Sequence, residues 1–341
     1  MRKSIRLAIT ASAALATLAF ASSAWAAYAP SLIVTSLDNK PGAPTTMLLG
    51  HSQTKDEDPT AKDTIYAPAG YGVTLGQAVG SKIGDVNATL ILRGGGNAEV
   101  DVEGQVIVDD AALHPNDPCV QGQGLHQAVW KLNITVAGTP LSVPMYVDKI
   151  TAGPEAAFAS AKIQFCLAGP IGTPAGAQLL SAIFDVNGVF TNPGHTQDRL
   201  WRALFTPYTP NTPNPNPAGT TEGQALVPGS VSLKLKAKSL KHGRVAITGR
   251  LLVSGSGFRA ATIELYVGNK KVATAKTKPN GNVTFKTRKI KKKTKFRALV
   301  VYVGGLASCP ADALPGVPQG CKTATISFVA TSNSVTARKR K

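Results

Sequence analysis

Apolar residues in this chain recur at every second position over short stretches that end at Gly, Pro or Asn. AEVDVEGQVIVDD (98–110), HQAVWKLNITV (126–136), VSLKLKAK (231–238), RVAITGRLLVS (244–254) and ATIELYV (261–267) follow this pattern. A two-residue period puts apolar side chains on one face of an extended strand and polar ones on the other, whereas a helix needs a period of about 3.6. Only PEAAFASAK (154–162) and TPAGAQLLSA (173–182) invite a short helix. The expected fold class is all-β, with further strands at YAPSLIVTS, NATLILR, LSVPMYVDKI, AKIQFCL and LLSAIFDVNGVF.

The N-terminus stands apart from this pattern. Arg2, Lys3 and Arg6 precede an apolar run from Leu7 to Phe20, and Ala24-Trp25-Ala26 follows as a small-x-small cleavage pattern. Residues 1–26 therefore read as a secretory signal peptide. The run is shorter than the roughly 20 residues of a membrane-spanning helix, and no later segment qualifies, so the mature chain is expected to be secreted or held in the cell envelope without a transmembrane segment. The four cysteines, Cys119, Cys166, Cys309 and Cys321, suit structural disulfides in an oxidising compartment. Four cysteines allow three pairings. Cys119 with Cys166 and Cys309 with Cys321 is favoured because each pair then falls within one region. No CxxC spacing supports a zinc site.

Charge divides the chain sharply. From Ala27 to Val227, 10 Lys or Arg accompany 17 Asp or Glu; from Pro228 to Lys341, 24 accompany 2. Such asymmetry predicts two domains with different electrostatic roles. We expect an acidic β-sandwich-like domain over 27–227, a basic domain over 228–332 and a basic flexible tail over 333–341. The tract TPYTPNTPNPNPAG (206–219) cannot form a helix or a central strand, so it is either a linker or a long loop before the last strand of the first domain.

Within the basic region, seven short strands with turns at Gly268-Asn269 and Lys278-Pro279-Asn280-Gly281 predict an immunoglobulin-like sandwich. The stretch GRLLVSGSGFRAATIELYVGNKKVATAKTKPNGNVTFKT, followed by TKFRALV, resembles the Ig-like modules near the C-termini of bacterial secreted and cell-surface proteins. The resemblance spans residues 228 to about 332 and implies a fold more than an activity. Phe296 stands where such folds often carry a tyrosine, and no cysteine pair bridges the two sheets.

Residues 286–298, KTRKIKKKTKFRA, carry eight cations: Lys286, Arg288, Lys289, Lys291, Lys292, Lys293, Lys295 and Arg297. Lysines on strands also keep sheet edges from pairing with other chains. The near absence of acids, with Glu264 and Asp312 alone in the basic region, goes further: a surface of one sign recruits polyanions. These eight residues are the expected polyanion-binding site, for an anionic cell-wall polymer or an acidic polysaccharide. Aromatic residues are not interleaved with the cations, so specific nucleic-acid binding through base stacking is not expected.

Other chemistry is weakly signalled. GHSQT (50–54) resembles a nucleophile elbow only up to Gln53, and a charged, proline-containing segment follows where that elbow needs a helix. GQAVGSKIG (76–84) lacks the spacing of a phosphate-binding loop. His114, Asp117 and His126 bracket Cys119, and His195 precedes Asp198, without converging ligands that a metal needs. Asp56, Glu57, Asp58 and Asp63 lack the spacing of a calcium loop and read as a solvated loop. Trp130 is expected in the core, while Trp201 is left open between core and sugar platform. The expected protein is non-enzymatic, with no metal or cofactor, and adheres through its basic Ig-like module. The alternatives are an extracellular carbohydrate-binding protein using aromatics of the acidic half, or a secreted hydrolase using Ser52 or His195.

Overall fold

The structure is a computed structural model and describes residues 28–93, 96–114, 120, 125–136, 138–169, 177–308 and 322–338. Residues 1–27, which include the expected signal peptide, lie outside them, as do Asp117, Cys119, Cys309, Cys321 and the last three residues. Cys166 is disulfide-bonded and not a free thiol.

The chain is all-β, as the alternation predicts. The N-terminal part contains β1 (Ser31–Ser36), β2 (Pro44–Ser52), β3 (Thr60–Pro68), β4 (Gly72–Val73), β5 (Lys82–Leu92), β6 (Ala98–Asp109), β7 (Ala128–Val136), β8 (Thr139–Lys149), β9 (Ala159–Cys166), β10 (Ala177–Thr191), β11 (Arg199–Pro207) and β12 (Thr221–Val227). Antiparallel pairing runs β1, β2, β10, β5, β6, β7, β8, β9, β3, β11, β12. This long sheet folds back on itself into a sandwich-like body around one core that includes Leu49, Trp130, Met145, Phe184, Trp201 and Phe205. The expected helix at 154–162 is one 3-10 turn, Pro154–Ala157, before β9, and Ala177–Ala182 of the second belongs to β10. The proline tract is the β11–β12 loop, closed by Thr209 N–H donating to Asn214 O at 2.8 Å.

The C-terminal part forms the Ig-like sandwich. One sheet pairs β13 (Val231–Ser239), β14 (Arg244–Val253) and β18 (Asn282–Lys289), with β15 (Ser256–Gly257) beside β14. The other runs β17 (Lys270–Lys276), β16 (Thr262–Val267), β19 (Thr294–Ser308) and β20 (Lys322–Thr331), with β21 (Val335–Ala337) on the start of β19. Leu235, Ile247, Leu265, Phe285, Phe296 and Phe328 fill the space between. Because β21 is paired, residues 335–337 are strand rather than the flexible tail expected from 333.

The two parts are joined closely. β20 runs parallel to β12 through Ala225 opposite Thr325 and Leu226 opposite Ile326. The hydroxyls of Thr325 and Ser327 donate to the carbonyls of Leu32 and Val34 on β1. The C-terminal module thereby occupies the seam where the first and last strands of the N-terminal sheet meet, and bare edges of that kind invite pairing with other chains. Ile33, Leu48 and Ile183 on one side pack against Leu299 and Val329 on the other. Glycine is required twice here: a Cβ on Gly229, in the three-residue connection to β13, would lie 2.0 Å from Thr196 O, and one on Gly223 would lie 2.4 Å from the Phe205 ring.

Candidate functional site

The eight predicted cations do not form one surface. Lys286 is exposed on β18, on the outer face of its sheet, because Val283 and Phe285 take the inward positions. Arg288 lies opposite Val245 of β14 in the register, and its side chain is outside the description. Lys289 is exposed at the end of β18, and Lys291, Lys292 and Lys293 are exposed in the turn to β19. Buried Ile290 anchors that turn. Lys295 is exposed and Arg297 half-buried on β19, where inward Phe296 sends its neighbours to the far side of the sandwich.

The structure also adds cations that the sequence run does not contain. Ile290 N–H donates to Gly243 O at 2.8 Å, tying the lysine turn to the β13–β14 turn with exposed Lys241 and Arg244. Arg244 stands opposite Lys289. Arg338 N–H donates to Ser239 Oγ at 3.2 Å, and β21 pairs with Thr294–Phe296. Three segments distant in sequence, around 238–244, 289–295 and 335–338, thus converge on one pole. That pole lies at the far end of β13 from the N-terminal sheet, about 27 Å along a nine-residue strand.

No acid neutralises the pole among the described residues. Glu264 sits on β16, where it accepts from Lys271 Nζ at 2.8 Å and from the Tyr266 hydroxyl at 2.5 Å. Burial works against its charge, but these two donors outweigh it and hold Glu264 below the usual carboxylate range. Nothing on the pole reproduces this pairing.

The remaining sequence candidates resolve into structural roles. His51 and Asp63, from β2 and β3, meet across the core: Nδ1 lies 3.1 Å from Asp63 Oδ2 and Nε2 lies 3.1 Å from Gln53 Oε1. Both ring nitrogens therefore face oxygen acceptors, as an imidazolium requires. Burial opposes that charge, yet the Asp63 carboxylate and the two hydrogen bonds prevail and raise the His51 pKa. Glu57 accepts from Ala29 N–H at 3.0 Å and Thr54 N–H at 3.1 Å. Asp63 and Glu57 are thus buried and partnered, not part of the solvated loop expected from the sequence. Neither the pair nor its approach could be read from spacing, because β2 and β3 are not ladder neighbours.

His114 pairs with Asp109 at 2.8 Å and His126 with Asp148 at 2.8 Å, at the same end of β6, β7 and β8, where both imidazoles lie against the Tyr146 ring with centroids 6.1 and 4.6 Å away. Asp198 accepts from Gly229 N–H and the Ser254 hydroxyl, which ties it to the junction with β13, and His195 is exposed. Among the described residues no three His, Cys, Asp or Glu side chains converge as a metal site. Ser52 is buried at the end of β2, paired with Ser31 and Ser181 in the middle of a sheet, where no elbow can form. Trp201 is fully buried with Tyr71 and Phe190 against it, which removes it as a sugar platform. The exposed large apolar side chains among the described residues are Val79, Leu113 and Leu125, none of them aromatic.

A cavity of about 210 Å³ opens beside His51, lined by Ile65, Val86, Leu132, Phe165 and Phe184. With both His51 nitrogens engaged, the ring leaves only carbon to that space. No helix among the described residues is long and apolar enough to cross a membrane. Comparison with known proteins gives no matching family model and no matching curated sequence.

Proposed function

We propose that this is a non-enzymatic extracytoplasmic protein of bacterial type that adheres, through the cationic pole of its Ig-like module, to anionic polymers of a cell surface. The observation that carries this reading is the convergence of three basic segments on one acid-free pole. Lysines that only soften strand edges would be scattered; these are gathered at the end farthest from the acidic sheet. A field of one sign over such a surface raises the local concentration of polyanions and speeds their capture. The four cysteines and the signal-like N-terminus support secretion.

The C-terminal module should be tested in place, because β20 completes the seam of the N-terminal sheet. Beads carrying polygalacturonate or poly(glycerol phosphate) are mixed with the chain from Ala27 to Lys341. Binding is expected to fall by about a thousandfold between about 50 and 200 mM salt if some six charges are engaged. Retention that ignores salt would overturn the reading.

A further inference from the structure

We propose that the outer face of β13, β14 and β18 is a ladder for a phosphodiester-linked polyol chain, with the lysines of β13 as its rungs. This rests on the polyanion reading above and names the polymer. Leu233, Leu235 and Ala237 point inward, so Lys234, Lys236 and Lys238 stand exposed in a row. The two-residue rise of a strand spaces them by about 6.7 Å. A chain with a three-carbon bridge between successive phosphates can extend to such a repeat and bend to meet it.

The neighbouring strand makes this row one side of a lane. Lys234 is opposite Arg250, Lys236 opposite Thr248 and Lys238 opposite Ala246. Thr248 is in turn opposite Thr284 of β18, with Lys286 two residues further along the same face. Short side chains, two of them hydroxyls, therefore floor a strip flanked by long ammonium groups. Lysine suits a phosphate here because its point charge and rotatable donors need no planar partner. None of Lys234, Lys236, Lys238, Arg250 and Lys286 has an ion-pair partner among the described residues.

The same face disfavours the other polyanions. Single-stranded nucleic acid gains much of its affinity from bases stacked on aromatics, and no Phe, Tyr or Trp side chain is exposed among the described residues. A polyuronate carries its carboxylates on stiff rings that alternate sides, so fewer of them can reach one straight row.

The chain from Ala27 to Lys341 is titrated with poly(glycerol phosphate), polygalacturonate and oligo(dT) of matched charge number, at several salt concentrations. Poly(glycerol phosphate) is expected to bind at least about tenfold more tightly than either rival. K234Q/K236Q/K238Q is expected to lower that affinity by at least about tenfold and the salt slope by about three, one for each phosphate left without its ammonium group. The control K270Q/K276Q, exposed on the opposite sheet, is expected to leave both unchanged. Equal affinity for all three polymers, preference for a rival, or equal losses in both variants would overturn the ladder while leaving the adhesion reading intact. Absence of binding to any of the three would overturn both.

Discussion

The N-terminal sheet and the C-terminal sandwich spend their charges in opposite ways. In the first, acids are taken up inside the fold: Asp63 against His51, Glu57 on the backbone of Ala29 and Thr54, and Asp185 on the Asp85 N–H and the Asn187 amide. In the second, the cations stand outside, and the one described acid, Glu264, is consumed by its neighbours. A charge that completes a fold is paired and buried; a charge left in excess on a surface is available to a partner. The contrast therefore sets charges that complete the fold in one region against unpaired surface charges in the other, where the proposed adhesion would act.

The strongest test of that contrast is Asp63→Asn. Removing one partner of a buried ion pair leaves the other uncompensated and costs about 3–5 kcal/mol, read as a lower midpoint in denaturant unfolding. A loss below about 1 kcal/mol would show that the carboxylates of the first region are not structural. The same pair predicts a pH dependence. The folded protein holds the His51 proton more tightly than the unfolded chain, whose pKa is about 6.5. Its stabilisation is complete below that value and is lost as pH rises through the raised folded pKa. His51→Gln should abolish this fall, as followed by thermal unfolding across neutral pH.

The junction offers a smaller effect. Thr325→Val with Ser327→Ala removes two hydroxyl donors from the Leu32 and Val34 carbonyls, at an expected cost of about 2 kcal/mol. Amide exchange should quicken in β1 and β12 more than in β14. Uniform change across the chain would mean that β20 does not guard the seam.

How much of this is legible in sequence depends on which faces are wet. The strands of the C-terminal sandwich, VSLKLKAK included, can be read directly, because alternation survives when one face meets water. β2 does not announce itself as a strand: Met47 and Leu49 face the core while Leu48 faces the junction with the second module, so both faces are buried and the period is erased. β3 is hidden for another reason, since Asp63 occupies an interior position where the pattern calls for an apolar residue. The lysine run at 286–297 is plain in the sequence, but its adjacency to Lys241 and Arg244 depends on the β14–β18 pairing and on the bond from Ile290 to Gly243. Such long-range pairings leave no local trace.

The smallest predicted effect sharpens the comparison most directly. Lys289, Lys291, Lys292 and Lys293 are all exposed and have no acid beside them among the described residues, so changing them to glutamine removes mutual repulsion and no packing. K289Q/K291Q/K292Q/K293Q should therefore unfold within about 0.5 kcal/mol of the parent, and on the stable side at low salt. Added salt screens the same repulsion in the parent, so the difference between the two proteins should close as ionic strength rises. If the variant is instead destabilised by more than about 1 kcal/mol at every salt concentration, these lysines are part of the fold in the way that Asp63 is, and the division between a structural region and a recognising one does not hold.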